Sequence, residues 1–164
     1  MLDTALLFAQ TVAVAGIAGW IVTGVYDNLR HPQNNEFYTA QVMSLARMRE
    51  AYPDEYARVA HRAITSRGLQ IAAFRLVVAV ELVAALVLSA AVLALALALP
   101  GLVDASLARA LGLVGAAIFT GIWAGFLVMG NYFCYWFCHE WGQNTHYQMT
   151  LWGMATLILL AQGG

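Results

Sequence analysis

Four apolar stretches alternate with polar connections along the chain, and each is long enough for several turns of helix. A hydrocarbon core about 30 Å thick is crossed by roughly 20 helical residues. On that measure spans are expected at about 5–25, 69–99, 107–129 and 147–162. The second stops at Pro100-Gly101, where a backbone donor is lost and the chain is freed to turn. The third follows Asp104-Ala105-Ser106, either of whose polar side chains suits a helix cap, and is expected to continue as a helix through an aromatic run to Trp141. The fourth is short and ends at Gly163-Gly164. Spans two and three exceed the bilayer at 1.5 Å per residue, so they tilt or project into water.

Residues 26–68 form the one sizeable polar segment and open with a turn-like run, Asn28 to Asn35. Beyond it, Phe37, Tyr38, Val42, Leu45, Met48 and Tyr52 recur on one helical face. Pro53 suits a first helical position, Asp54 and Glu55 a first turn, and Tyr56, Val59, Ala60, Ala63 and Ile64 a second stripe. The pattern predicts an all-α fold: a four-transmembrane-helix bundle with two short amphipathic helices in the loop between helices 1 and 2, in a single domain over 1–164. Those short helices either lie on the membrane surface or cap the bundle.

Composition strengthens the membrane assignment. Hydrophobic residues make up 62% and charged residues 10%, against about 25% charged in a soluble domain, and mean hydropathy is +0.70. Disorder, a secreted disulfide scaffold and a soluble enzyme are thereby disfavoured. All eight basic residues are arginine and the net charge is −1, which argues against nucleic acid as a partner. The start lacks a basic region and a small-residue cleavage site, so the first span is expected to be retained. Arg30, Arg47, Arg49, Arg58, Arg62 and Arg67 all lie in the first loop. The positive-inside rule then places loops 26–68 and 130–146 in the cytoplasm and both termini opposite, with Arg109 alone against the bias. A bacterial inner membrane is the expected location.

Glu81 is the most informative single residue, because it falls near the middle of span two. A carboxylate there costs several kcal/mol unless protonated, paired or turned to the bundle interior. Arg75, six residues away, is about 240° round the helix and is expected to snorkel to the headgroups. The partner of Glu81 must come from another helix, with Thr11, Thr23, Thr120, Trp20 and Trp123 as available donors. A structural hydrogen bond is the leading reading, and a proton relay, ion or cofactor contact the competing one.

Tyr132, Tyr135, Trp136 and Trp141 read as interfacial anchors. Among them, Cys134 and Cys138 at i, i+4 would share a helix face, where His139 or His146 could join them as ligands for zinc or copper. The spacing is not that of a common zinc finger and reduced, buried thiols are the leading reading. His31 and His61 lie outside the spans and no haem-attachment motif occurs, so haem has little support. No cofactor is the leading expectation, with metal, haem or quinone as alternatives. Ala15, Gly19 and Thr23 on the first span, and Ala117, Gly121 and Gly125 on the third, form rows of small residues at four-residue spacing. Packing within the bundle is expected of them, and contact with another subunit is the functional alternative.

The order of a first span, the pattern Asn35-x-x-Tyr38-x-x-Gln41-Val42-Met43-Ser44-Leu45, then Arg62-Ala63-Ile64, a second span bearing Glu81, and Gly130-x-x-Phe133-x-x-Trp136 with Trp141 resembles a known family. It is that of the predicted small integral membrane proteins of domain-of-unknown-function family 2165. Gln41, Leu45-Ala46 and Gly142-Gln143-Asn144 depart from that family's pattern. The resemblance, from Asn28 to about Asn144, implies four membrane helices and no established activity. The favoured function is an accessory or assembly subunit of a larger respiratory, photosynthetic or dehydrogenase complex, partnered by lipid and other membrane subunits and without catalysis of its own. A transporter or proton relay using Glu81 is the first alternative, and a metal-, haem- or quinone-binding protein the second.

Overall fold

Proline divides the first half of the chain into elements. The residue before a proline is driven out of the helical region, and both His31 (φ −133°) and Tyr52 (φ −140°) are so placed, each ending one helix while the proline opens the next. Helix α1 (Leu2–Arg30) therefore runs through Asn28 instead of turning there, and α2 (Pro32–Met43) follows. The structure, a computed structural model, describes residues 1–163; Gly164 lies outside the described residues. After α2 come α3 (Ala46–Ala51), α4 (Pro53–Val59), a 3₁₀ turn (Ala60–Arg62), α5 (Arg67–Ala98), α6 (Ala105–Tyr132), α7 (Tyr135–Cys138) and α8 (Glu140–Leu160). The described residues are all-helical, without a strand.

Helices α1, α5 and α6 are long and apolar enough to cross a membrane. Helix α8 is not among them, since its first half carries Glu140, Gln143, Asn144, His146 and Gln148. It nonetheless lies antiparallel along α6, with Gly153 against Phe119 and Thr120, and Gly112 against Leu160. Helix α5 packs between α1 and α6, Gly115 of α6 seating Leu88. Between α5 and α6 the chain turns through Gly101 at φ +81°. Leu102 N–H donates to Leu97 O and Gly101 N–H to Ala98 O, the paired bonds of a glycine-terminated helix. Of the two expected caps for α6, Asp104 serves: its carboxylate accepts from the Leu107 N–H at 2.8 Å.

The expected continuation of the third span to Trp141 does not occur. Cys134 adopts a left-handed conformation (φ 55°), which breaks the helix after Tyr132 and reverses the chain through α7 into α8. Helix α8 accordingly starts seven residues before the expected span. The stripe from Phe37 to Tyr52 is likewise divided, because Leu45 is left-handed (φ 51°), and α2 buries none of its residues while Leu45 and Met48 go inward. Three short helices and a 3₁₀ turn thus replace the two amphipathic helices expected. They cap one end of the bundle: Leu45 and Met48 pack with Phe133 and Cys134 in a second core, flanked by Val42, Tyr56, Val59 and Phe137. The Ile64 N–H to Met43 O bond closes the cap, and Arg67 of α5 pairs with Glu36 of α2.

Candidate functional site

Glu81 is 7% exposed because it continues the core seam of α5, which runs Phe74, Val78, Glu81, Ala85, Leu88. Its Oε2 accepts from Asn28 Nδ2 at 2.9 Å, and Asn28 Oδ1 accepts from Asn35 Nδ2 at 2.6 Å. The partner does come from another helix, but it is none of the donors expected. Thr11, Thr23 and Thr120 each donate to a carbonyl of their own helix, and the Trp123 indole N–H has no partner. Asn28 was hidden by its reading as part of a turn. The seam of α1 gives it away: Val14, Ile17, Ile21, Val25 and Asn28 recur at helical spacing, and all are buried.

A second polar cluster closes the other end of the bundle. Gln10, fully buried, donates through Nε2 to Leu159 O and Gln162 O and accepts from Arg109 Nε at 2.9 Å. Arg109 Nη1 also donates to Gly163 O. The cluster adds side-chain donors to carbonyls at the C-terminus of α8, and puts a cation where the helix dipole is negative. Gln10 carried no sequence expectation. Asn28 stands 18 positions beyond Gln10 on α1, a rise of about 27 Å at 1.5 Å per residue, close to one hydrocarbon thickness. Glu81 is level with Asn28, at the opposite end of that stretch from Gln10. Beyond it α5 continues into the cap, where Arg75 is exposed and makes no ion pair among the described residues.

A cavity of about 350 Å³ adjoins the pair, lined by Trp20, Ile21, Thr23, Gly24, Asn28, Asn35, Glu81 and Trp123. Its walls come from α1, Asn35 of α2, Glu81 of α5 and Trp123 of α6, on the cap side of the contacts between α1 and α8. Gln10 bonds to the end of α8, Gly16 meets Trp152, and Trp20 stacks edge-on against Trp152 with centroids 6.3 Å apart. Past this point Gly24 has no neighbour within 4 Å of a would-be Cβ. Trp20, Thr23 and Gly24 on the rim are exposed, while Asn28 and Glu81 at the inner end are buried.

The aromatic and cysteine segment separates into two environments. Cys134, expected to share a helix face with Cys138, instead caps α7 and is buried beside Leu45 and Met48; Cys138 is half-buried. His139 is buried against Tyr135, with ring centroids at 5.5 Å. Burial, then the nearby Arg47 guanidinium, lowers the His139 pKa below the ordinary 6.5, and burial foremost raises the Cys138 thiol above its usual value. His146 lies elsewhere, stacked on Phe126 at 4.8 Å and on Tyr135 at 5.6 Å, with its Nδ1 unpartnered. Cys134, Cys138, His139 and His146 do not converge: no group of three or more metal-ligating side chains occurs among the described residues. Tyr132, Trp136 and Trp141 are exposed, whereas Tyr135 turns inward between the two histidines. His31 and His61 are both exposed in the cap.

The small-residue rows do not pack the bundle as expected. Ala15, Gly19 and Thr23 on α1 and Ala117 and Gly121 on α6 are exposed, and a Cβ at Gly19, Gly121 or the half-buried Gly125 would meet nothing within 4 Å. Close approach of helices is achieved by other glycines. A Cβ at Gly115 would lie 2.8 Å from Leu88, one at Gly16 2.9 Å from Trp152, and one at Gly153 would collide with Thr120 Oγ1. Four-residue spacing marks a smooth face, and which way it points depends on where the bulky residues of the same helix go.

No curated protein and no solved structure matches the chain. A family model described as predicted small integral membrane protein (DUF2165) matches residues 6–163, covering all four long helices and the cap. The chain therefore belongs to that family of small integral membrane proteins.

Proposed function

We propose that this protein is a four-span subunit that packs against another membrane protein. The reading is carried by one observation: the rows Ala15-Gly19-Thr23 and Ala117-Gly121 lie on outer helix surfaces with open space above them, while the bundle closes on different glycines. Small residues let a foreign helix backbone approach closely, and in lipid such packing drives helix association. Helix α8 supplies the fourth span. It lies beside α6, and its end meets α1 and α6 at Gln10 and Arg109, so it shares their depth. The six arginines of residues 26–68 support a cytoplasmic side for that end, with both chain ends opposite, in a bacterial inner membrane. The role is one of assembly and not of catalysis.

Photo-crosslinking within the native membrane tests this. A crosslinking residue at Ala117 is expected to capture a second polypeptide, whereas one at Leu86, which is exposed on α5, captures lipid only. Equal capture from both positions, or from neither, contradicts the reading. A role for Glu81 in transport is the second reading, favoured by its position against a cavity.

A further inference from the structure

We propose that the cleft between α1 and Trp123 of α6 holds the primary ammonium group of an amphiphile, with the Glu81 carboxylate as its counter-ion. Glu81 has no arginine or histidine within ion-pair distance; the ion pair among the described residues joins Arg67 to Glu36. Asn28 is a neutral donor to one oxygen, and the other oxygen accepts no bond among the described residues. A desolvated carboxylate gains most from a cation, and the wall offers that cation further contacts. Thr23 Oγ1 has spare acceptor capacity, its proton being given to its own helix, and Asn35 Oδ1 has no partner among the described residues. Trp20 and Trp123 add aromatic surface, which attracts cations. An –NH₃⁺ group presents three donors to these acceptors, whereas a trimethylammonium presents none.

Size and depth define the rest of the ligand. About 350 Å³ accommodates a polar head but not a chain. Trp20, Thr23 and Gly24 are exposed on the rim, on the apolar side of Asn28, so an acyl or alkyl tail leaves sideways past α1 along the lipid-facing surface. An ethanolamine phospholipid and a free long-chain amine share this chemistry.

The full chain, purified in mild detergent, is examined by native mass spectrometry with dioleoyl-phosphatidylethanolamine, dioleoyl-phosphatidylcholine or dodecylamine added. An ammonium ligand is expected to be retained about tenfold more strongly than the choline lipid, as for loss of a charge-assisted hydrogen bond. Glu81→Gln, which keeps a group able to accept from Asn28, abolishes the preference. Gly24→Leu abolishes it by filling the cleft, with thermal unfolding unchanged, because a Cβ there meets nothing within 4 Å. Retention of the ethanolamine lipid alone assigns a phospholipid head group, and retention of dodecylamine alone assigns a free amine. Failure of both to exceed the choline lipid, or a preference that survives Gly24→Leu, overturns the proposal.

Discussion

A carboxylate on the core face of a helical bundle is tolerated when a donor reaches it, and Asn28 does this for Glu81 at 2.9 Å. Removing that donor leaves a buried oxygen unsatisfied, so Asn28→Leu should cost about 1–3 kcal/mol, read by denaturant or SDS unfolding in detergent. Replacing both partners in Asn28→Leu/Glu81→Leu should restore most of the loss, since an apolar pair carries no desolvation penalty; a double variant as unstable as the single one would show that the two side chains do not act as a pair. The same reasoning separates the glycines. Gly153→Ala sets a methyl against Thr120 and Phe119 and should cost about 1–3 kcal/mol by overpacking. Gly121→Leu, with free space above it, should leave unfolding unchanged. Equal effects of the two substitutions would contradict this placement of the helix faces. That Glu81 needed a partner from another helix was legible from its composition and setting. That the partner was Asn28 depended on where α1 ends, and a polar residue at the end of an apolar run resembles the start of a loop.

Helix boundaries show which signals were local. Pro32 and Pro53 open helices because proline constrains its own φ and its predecessor's, whereas at Pro100-Gly101 the preceding Leu99 stays helical and Gly101, at φ +81°, makes the turn. The breaks at Leu45 and Cys134 have no such signal. Both residues take left-handed conformations that an L-residue rarely adopts, and both are held there by burial in the shared core of the cap. Tertiary packing sets those two turns, so a helix running on to Trp141 was the natural expectation from periodicity alone. The cap also carries a pH dependence. His139 is buried and its pKa is lowered, so the folded state prefers the neutral ring and the unfolded chain binds the proton more readily. Its contribution is fully present above about 6.5 and is lost as the pH falls through the lower folded value. Protection of the α3 and α7 amides, corrected for the intrinsic pH dependence of exchange, should therefore fall on acidification below that point, and His139→Phe, which keeps the stack on Tyr135, should flatten the response. An unchanged acid limb in that variant would remove His139 as its source.

At the scale of the molecule, two polar clusters about 27 Å apart, Gln10 with Arg109 and Asn28 with Glu81, bracket an apolar layer of membrane thickness. Composition and span lengths made the membrane setting legible, and the arginine bias named a side for the cap. The direction of the small-residue rows was not legible, because spacing locates a face without saying what stands opposite. Their outward placement makes a second polypeptide the central claim. Native mass spectrometry of the protein extracted by mild detergent from its own membrane tests it most directly, comparing the wild type with Gly121→Leu. A stoichiometric assembly well above 17.8 kDa that Gly121→Leu dissociates, with the fold intact, is the expected result. A bare 17.8 kDa chain in both samples would contradict it.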